Sequence, residues 1–259
     1  AIPTTTAGTY TGNLYVQNST TTCESAAIPF TITIDAIPSA TLAVSDATIC
    51  TGSSASITVT SSESGYSYQL RDDSNDNNVG SAVLGTGGDI TFSVSPTAST
   101  TYNVYVTNGN CAVELTDKPI VTVDAASVGG TLYENGTTNT SVTVTGGSNT
   151  TDITLSGETG SVVQWESSSD NSFTSPTVIA NTSNTYTSLN VNSTTYYRAL
   201  IQNGSCSSTY SSTFTVSTNA LPTFTLSSNA DAQCPGSAGS LTITAKSSGA
   251  DQYRIDWDA

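Results

Sequence analysis

Residues 100–111 read TTYNVYVTNGNC and residues 194–206 read TTYYRALIQNGSC. In both, Thr-Tyr opens a run in which apolar and polar side chains alternate, Asn-Gly follows, and a cysteine closes the phrase. Period-two alternation marks a strand with one buried face. Asn-Gly accepts the positive φ that a two-residue hairpin turn demands. A looser copy, GTYTGNLYVQNSTTTC, occupies residues 8–23. A motif repeated in this way points to tandem β-modules.

Working outward, a second phrase precedes the first. It reads TLAVSDATICTGSSASITVT at 41–60, TLSSNADAQCPGSAGSLTIT at 225–244 and TLYENGTTNTSVTVT at 131–145, where the cysteine is missing and Glu134 lies near its place. The two phrases form the front and back of one module of about 90 residues. Boundaries fall at Ala36-Ile37-Pro38, Asp124-Ala125-Ala126 and Ala220-Leu221-Pro222. This divides the chain into a C-terminal half-module at 1–35, full modules at 36–124 and 125–219, and an N-terminal half-module at 220–259. The half-modules at the two ends are expected to leave strand edges unpaired within the chain.

Each full module offers about seven short strands with turn signals every 8 to 12 residues, the pattern of an immunoglobulin-like sandwich. The expected fold is all-β, with tandem immunoglobulin-like β-sandwich modules in an extended rod and no helix longer than three turns. Inward positions read as Ile57 and Val59, Tyr66, Tyr68 and Leu70, Phe92 and Val94, and Tyr102, Val104 and Val106. In the next module they read as Val142 and Val144, Ile153 and Leu155, Val163 and Trp165, Tyr186, and Tyr196, Arg198 and Leu200. Trp165 reads as a core aromatic, with a surface sugar-stacking role as the other reading.

Composition narrows the function. The 259 residues (26.4 kDa) carry 20 acidic and 5 basic side chains, a net charge of -15, with no His and no Met. Without His there is no Ser-His-Asp triad and no histidine metal ligand. A pI near 4.1 argues against nucleic acid, whose phosphates need clustered Lys and Arg. Ser and Thr number 89 and solvate strand faces in place of charge. The 12 Tyr, 5 Phe and 2 Trp argue against disorder. No apolar run approaches the ~18 residues of a membrane span. The missing Met is expected of a processed chain or of a window in a longer one.

Five cysteines in a strand-rich, Lys-poor chain read as an extracellular framework. Cys50 and Cys111 are front and back of one module and are expected to pair, which for a loop of that length is worth roughly 4 kcal/mol. Cys23 and Cys234 are expected to find partners before residue 1 and after residue 259, and Cys206 to be a free thiol. The other readings pair Cys23 with Cys234, or join chains through Cys206. No two cysteines have zinc-ligand spacing.

Other constellations are weaker. Asp72, Ser74, Asp76 and Asn78 alternate as calcium ligands do, but Asn77 stands where an EF-hand needs Gly and no Glu closes the loop. Glu158, Glu166 and Asp170 give no basis for an acid–base pair. Gly85-Thr86-Gly87-Gly88 lacks the Lys and helix of a phosphate cradle. Asn18, Asn135, Asn149, Asn181 and Asn192 open Asn-x-Ser/Thr sequons, incidental in so Asn-, Ser- and Thr-rich a chain. No catalytic, cofactor-binding or metal residue is assigned, and no cofactor is expected.

The second full module, with SGETGSVVQWESSSDNSFTSPTVIANTSNTYTSLNVNSTTYYRALIQNGSC at 156–206, resembles the repeats of very large cell-surface adhesins of gliding Bacteroidota. These are exported by the type IX route and include the SprB-type gliding adhesin. Residues 222–259, ending GADQYRIDWDA, resemble the opening of another such repeat. AGTYTGNLYVQN and IPFTITI near the start resemble its close. The missing front cysteine at 125–140 departs from the pattern.

The resemblance implies a non-enzymatic stalk on the bacterial cell surface, used in attachment and gliding motility. Its partners would be adjoining modules of the same polypeptide, surface polysaccharide or other secreted envelope proteins, with no nucleic acid and no membrane span. If both ends belong to one repeat type, the period is three modules, roughly 220 residues. Two rivals stand beside this reading. Carbohydrate-binding modules would present coplanar exposed aromatics, and accessory domains of a larger secreted enzyme would need a catalytic domain elsewhere.

Overall fold

The computed structural model describes residues 6–145, 147–219, 224–227 and 242–246. Every regular element among them is a strand. They fall into two units: one runs to Ala126 and also takes in Asn203–Ser207, and the other comprises Ser127–Gln202 and the residues from Ser208 onward.

The first unit opens with a hairpin of β1 (Gly8–Leu14) and β2 (Ile28–Ile34), paired antiparallel from Gly8↔Ile34 to Leu14↔Ile28. The sandwich that follows contains β3 (Ala47–Cys50), β4 (Ala55–Val59), β5 (Ser67–Asp72), β6 (Val83–Leu84), β7 (Ile90–Val94), β8 (Thr100–Thr107), β9 (Ala112–Glu114) and β10 (Ile120–Asp124). One sheet runs β3-β10-β8-β5-β6, with β9 also on β8, and the other is the β4-β7 pair. Strand β3 runs parallel to β10, with Asp124 opposite Cys50, while β10 runs antiparallel to β8.

The alternation read from the sequence holds here. Ile57, Val59, Tyr68, Leu70, Phe92, Val94, Tyr102, Val104 and Val106 are buried in one cluster, and Tyr66 packs against it half-buried. Thr and Ser take the outer positions, where the branched Cβ of Thr suits a pleated surface.

The second unit contains β11 (Thr131–Glu134), β12 (Ser141–Thr145), β13 (Thr150–Ser156), β14 (Ser161–Ser168), β15 (Thr177–Ile179), β16 (Thr185–Leu189), β17 (Thr195–Gln202), β18 (Thr209–Tyr210) and β19 (Phe214–Asn219). Sheet β12-β19-β17-β14-β15, with β18 on β17, faces β11-β13-β16. Strands β20 (Phe224–Ser227) and β21 (Thr242–Lys246) pair antiparallel. Trp165 is fully buried, and its indole N–H donates to the Ser183 carbonyl at 2.9 Å.

Three expectations are corrected. In β17 the buried residues are Tyr197, Ala199 and Ile201, one position out of phase with the expected Tyr196, Arg198 and Leu200. The run Tyr-Tyr-Arg-Ala-Leu-Ile carries large side chains on both faces, so period two alone does not fix the phase. In β14 the register shifts between Val162 and Gln164, so Val162 and Trp165 point inward and Val163 is exposed. A bulge of this kind inserts one residue and breaks strict alternation.

The third correction concerns the lost front cysteine. Strand β12 runs parallel to β19 with Thr145 opposite Asn219, as Cys50 lies opposite Asp124. Thr145, not Glu134, holds its place.

Truncating Trp165 to Ala removes the largest fully buried side chain and orphans the Ser183 carbonyl. A loss of about 3–5 kcal/mol is expected, read as a drop in the thermal midpoint of the second unit by calorimetry. A shift near zero would contradict the assigned core.

Candidate functional site

The five-residue loop Asn203–Ser207, between β17 and β18, carries the densest set of specific contacts. Ser205 donates its N–H (2.7 Å) and hydroxyl (2.9 Å) to Asp124 Oδ2. The Asn203 amide donates to the Ala125 carbonyl at 2.8 Å. Gly204 has a φ of 47°, and a Cβ built there would collide with the Asp124 carboxylate. Cys206 is bonded to Cys50, with an S–S distance of 1.99 Å and a Cα–Cα distance of 4.7 Å.

This overturns the expected Cys50–Cys111 bridge and the expectation that Cys206 is free. Cys23 and Cys111 are the free cysteines among the described residues, and Cys234 lies outside them. The physical reason is register. Val121 pairs with Thr100, so β10 runs three residues onward to the level of Cys50, while β8 runs seven residues the other way to Thr107. Ten residues of strand are roughly 33 Å, far beyond the Cα separation a disulfide spans. Cysteines at the front and back of one module therefore stand at its opposite poles.

The Asp72–Asn78 run is a closed hairpin loop. Asp72 Oδ1 accepts from the Ser74 N–H (2.9 Å) and hydroxyl (2.6 Å). Asp73 pairs with Lys118 at 2.5 Å and accepts from Asn103, whose amide also donates to Asp76 at 2.8 Å. The Ser74 hydroxyl and N–H hold the Asp72 carboxyl below its ordinary range, and Lys118 and Asn103 do the same for Asp73. The loop borders an open cleft with Ser99, Thr100 and Thr101. Among the described residues no three His, Cys, Asp or Glu side chains converge as metal ligands.

Glu166, buried within the second unit, is held by four bonds from three side chains. Arg198 donates from Nε (2.8 Å) and Nη2 (2.7 Å) to Oε2, and Gln164 (2.9 Å) and Tyr210 (3.1 Å) donate to Oε1. The guanidinium lies between the rings of Phe173 (4.0 Å) and Tyr210 (3.6 Å). Glu158 instead takes a hydrogen bond from the Asn184 amide, and Asp170 caps the turn at Ser172 and Thr174. The three carboxylates serve separate local structures. Arg71 stacks on Tyr105 at 3.8 Å. Each cationic side chain described, Arg71, Lys118 and Arg198, is thus already engaged.

Trp165, read alternatively as a sugar-stacking residue, is buried, as is Tyr102, while Tyr196 is half-buried on the outer face of β17.

Residues 134–220 match a protein family described as Domain of unknown function (DUF8696), about a third of the chain. No curated protein matches. Similar solved structures include an I-band fragment of titin (TM-score 0.48, 11% identity, 72% of this chain and 67% of that one). An E-to-A variant of three titin Ig domains gives 0.47 and 12% over 71% of this chain and 66% of that one. The FN1–FN3 domains of chicken CNTN1 give 0.38 and 12% over 80% and 74%. The chain thus spans about two thirds of the length of the titin fragments it matches. No helix among the described residues is long and apolar enough to cross a membrane.

Two measurements check the site. Arg198→Ala leaves Glu166 buried and uncompensated and should cost about 3 kcal/mol, whereas Lys118→Ala, at a solvent-screened pair, should shift the midpoint far less. Urea denaturation distinguishes them, and equal shifts would refute the clamp.

The pH profile of the melting temperature is the second. Asp72 and Asp73 are lowered, so their contribution is full above the ordinary carboxylate range of about 4 and is lost as pH falls through it. Burial raises the Tyr68, Tyr102, Tyr186 and Tyr197 phenols. Their contribution is full below about pH 10 and is lost above it. With no histidine, the melting temperature should stay flat between these limits.

Proposed function

We propose that this chain is a non-enzymatic shaft segment of a large secreted cell-surface adhesin or filament, serving attachment and gliding motility at a bacterial surface. The observation that carries the reading is the Cys50–Cys206 bridge, which ties residues 156 apart in sequence into one covalent ring. Tension applied at the two ends runs through residues 1–50, crosses the sulfurs and leaves through residues 206–259. The chain between the cysteines, which holds nearly all of both cores, is bypassed. Such an arrangement suits a part that transmits force.

A disulfide is expected of an oxidising, extracellular compartment. The acidic, Lys-poor surface keeps neighbouring rods apart and soluble. Engagement of the described cations supports a partner set of adjoining modules rather than an anionic ligand.

Single-molecule pulling from the termini tests the reading. The oxidised protein should extend less than the reduced one by the 156-residue separation, about 55 nm at ~3.5 Å per residue. Equal contour lengths with and without reductant would sink the force-bearing role. Antibody raised against residues 36–219 should label intact cells, and labelling only after lysis would sink the cell-surface role.

A further inference from the structure

Lys118, Asp73 and Asn103 bring an amine, a carboxylate and a carboxamide together. Lys118 Nζ lies 2.5 Å from Asp73 Oδ1. The same oxygen accepts from Asn103 Nδ2 at 3.2 Å, and Asp76 Oδ1 accepts from that nitrogen at 2.8 Å. The amine and the carboxamide are therefore neighbours across one atom. Three stretches of chain build the cluster: Asn103 lies in β8, Asp73 just after β5 and Lys118 just before β10. Backbone bonds fix the last two, since the Asp73 N–H donates to the Thr101 carbonyl and the Tyr102 N–H donates to that of Pro119. Lys118 also meets Glu114 at 3.2 Å, an exposed contact that its flexible stem can give up.

Asn103 is 1% exposed, and its Oδ1 has no hydrogen-bond partner. Its direct partner in the ladder is Arg71, whose Nε is also buried and unpartnered. Facing residues of an antiparallel pair share one side of the sheet. An orphaned acceptor and an orphaned donor thus stand on adjacent side chains, and each costs free energy in the resting fold. The second sandwich has no such defect at the matching rung. There, next to buried Tyr197 as this rung is next to buried Tyr102, Glu166 faces Arg198 and the two are bonded. The orphaned pair belongs to the sandwich whose loop carries Lys118.

We propose that Lys118 and Asn103 join in an intramolecular amide bond, with Asp73 moving the protons. Lys118 passes a proton to Asp73 Oδ1 along the existing hydrogen bond. The neutral amine attacks Asn103 Cγ, the Nζ–Cγ bond forms, and the carbonyl electron pair moves onto Oδ1, where Arg71 Nε is the donor at hand. Asp73 gives its proton to Nδ2, the pair returns to the carbonyl and the Cγ–Nδ2 bond breaks. Ammonia leaves, and the second proton lost from Nζ reaches it through Asp73. A lysine ammonium and an asparagine carboxamide thus give one secondary amide and one ammonium ion. No oxidant is consumed, and Asp73 ends as the carboxylate it began as.

Holding amine and carboxamide on one oxygen turns an encounter into an intramolecular step. A buried donor placed where negative charge develops lowers its barrier. The bond ties the segment entering β10 to the central strand β8 and closes a loop that contains β9. The Lys118–Asp73 ion pair is the state before reaction. The proposal stands on this cluster and not on the adhesive role.

Intact-mass spectrometry of the purified full chain, reduced and unfolded, tests it. The wild type should be lighter than its sequence by one ammonia. Digestion after glutamate should cut at Glu114 and still leave the peptides of Asn103 and Lys118 joined. Lys118→Arg keeps the cation but has no amine to acylate, so it should restore the sequence mass and free the two peptides. Asp73→Ala should do the same. The Cys50–Cys206 peptide, recovered without reductant, reports that each variant has folded. Wild type that stays at the sequence mass after prolonged incubation of the folded protein would overturn the proposal. So would an ammonia loss that persists in Lys118→Arg, which would mark a succinimide at an Asn-Gly pair such as Asn135-Gly136.

Discussion

The parallel register of β3 on β10 places Cys50 level with Asp124, where the chain leaves the first sandwich. The hairpin turn after β8 places Cys111 at the other pole. These two facts forbid a Cys50–Cys111 bridge within the first sandwich, so its two sheets are held together by packing. Each sandwich has its own continuous apolar cluster, one around Tyr68, Leu70, Val104 and Val106, the other around Trp165, Tyr197 and Phe214. Freed from the interior, Cys50 reaches the Asn203–Ser207 loop instead. Closing a ring that long restricts the unfolded chain by roughly 5 kcal/mol in the loop-entropy model.

The polar groups follow the same economy. With few cations, loops close on Asx-type turns: Asp72 on Ser74, Asn18 on Thr20 and Thr21, Asn181 on Ser183. Hydroxyls and amides supply the donors that Lys and Arg supply elsewhere. Where a charge is buried, as in Glu166, every oxygen is satisfied. The net charge of -15 therefore belongs to the solvated surface and to no single pocket.

Local pattern carried the fold class well, because a strand with one wet face writes its period directly into the sequence. Ile57, Tyr68, Phe92 and Val104 were legible for that reason. In β17 and β14 the signal failed where both faces carry large side chains, as at Tyr196 and Tyr197, or where a bulge adds a residue, as beside Val163. The cysteine pairing failed for a different reason. Membership of one module is a statement about sequence, whereas a disulfide depends on which pole of the sheet a residue occupies. The run SVTVT in the second module aligns by eye with SITVT of the first, yet it forms β12, the counterpart of β3. Only the ladder shows that Thr145 stands where the cysteine would be.

The handling of basic residues has a consequence outside the fold. Trypsin-like proteases need a Lys or Arg in a locally extended, detachable segment. The chain offers five such residues, and those with described side chains are poor substrates. Arg71 and Arg198 lie inside β5 and β17, each stacked on an aromatic ring, and Lys118 is followed by Pro119, which blocks cleavage at that bond. A surface built from Thr, Ser, Asn and Asp thus presents few footholds to proteases that cut after Lys or Arg.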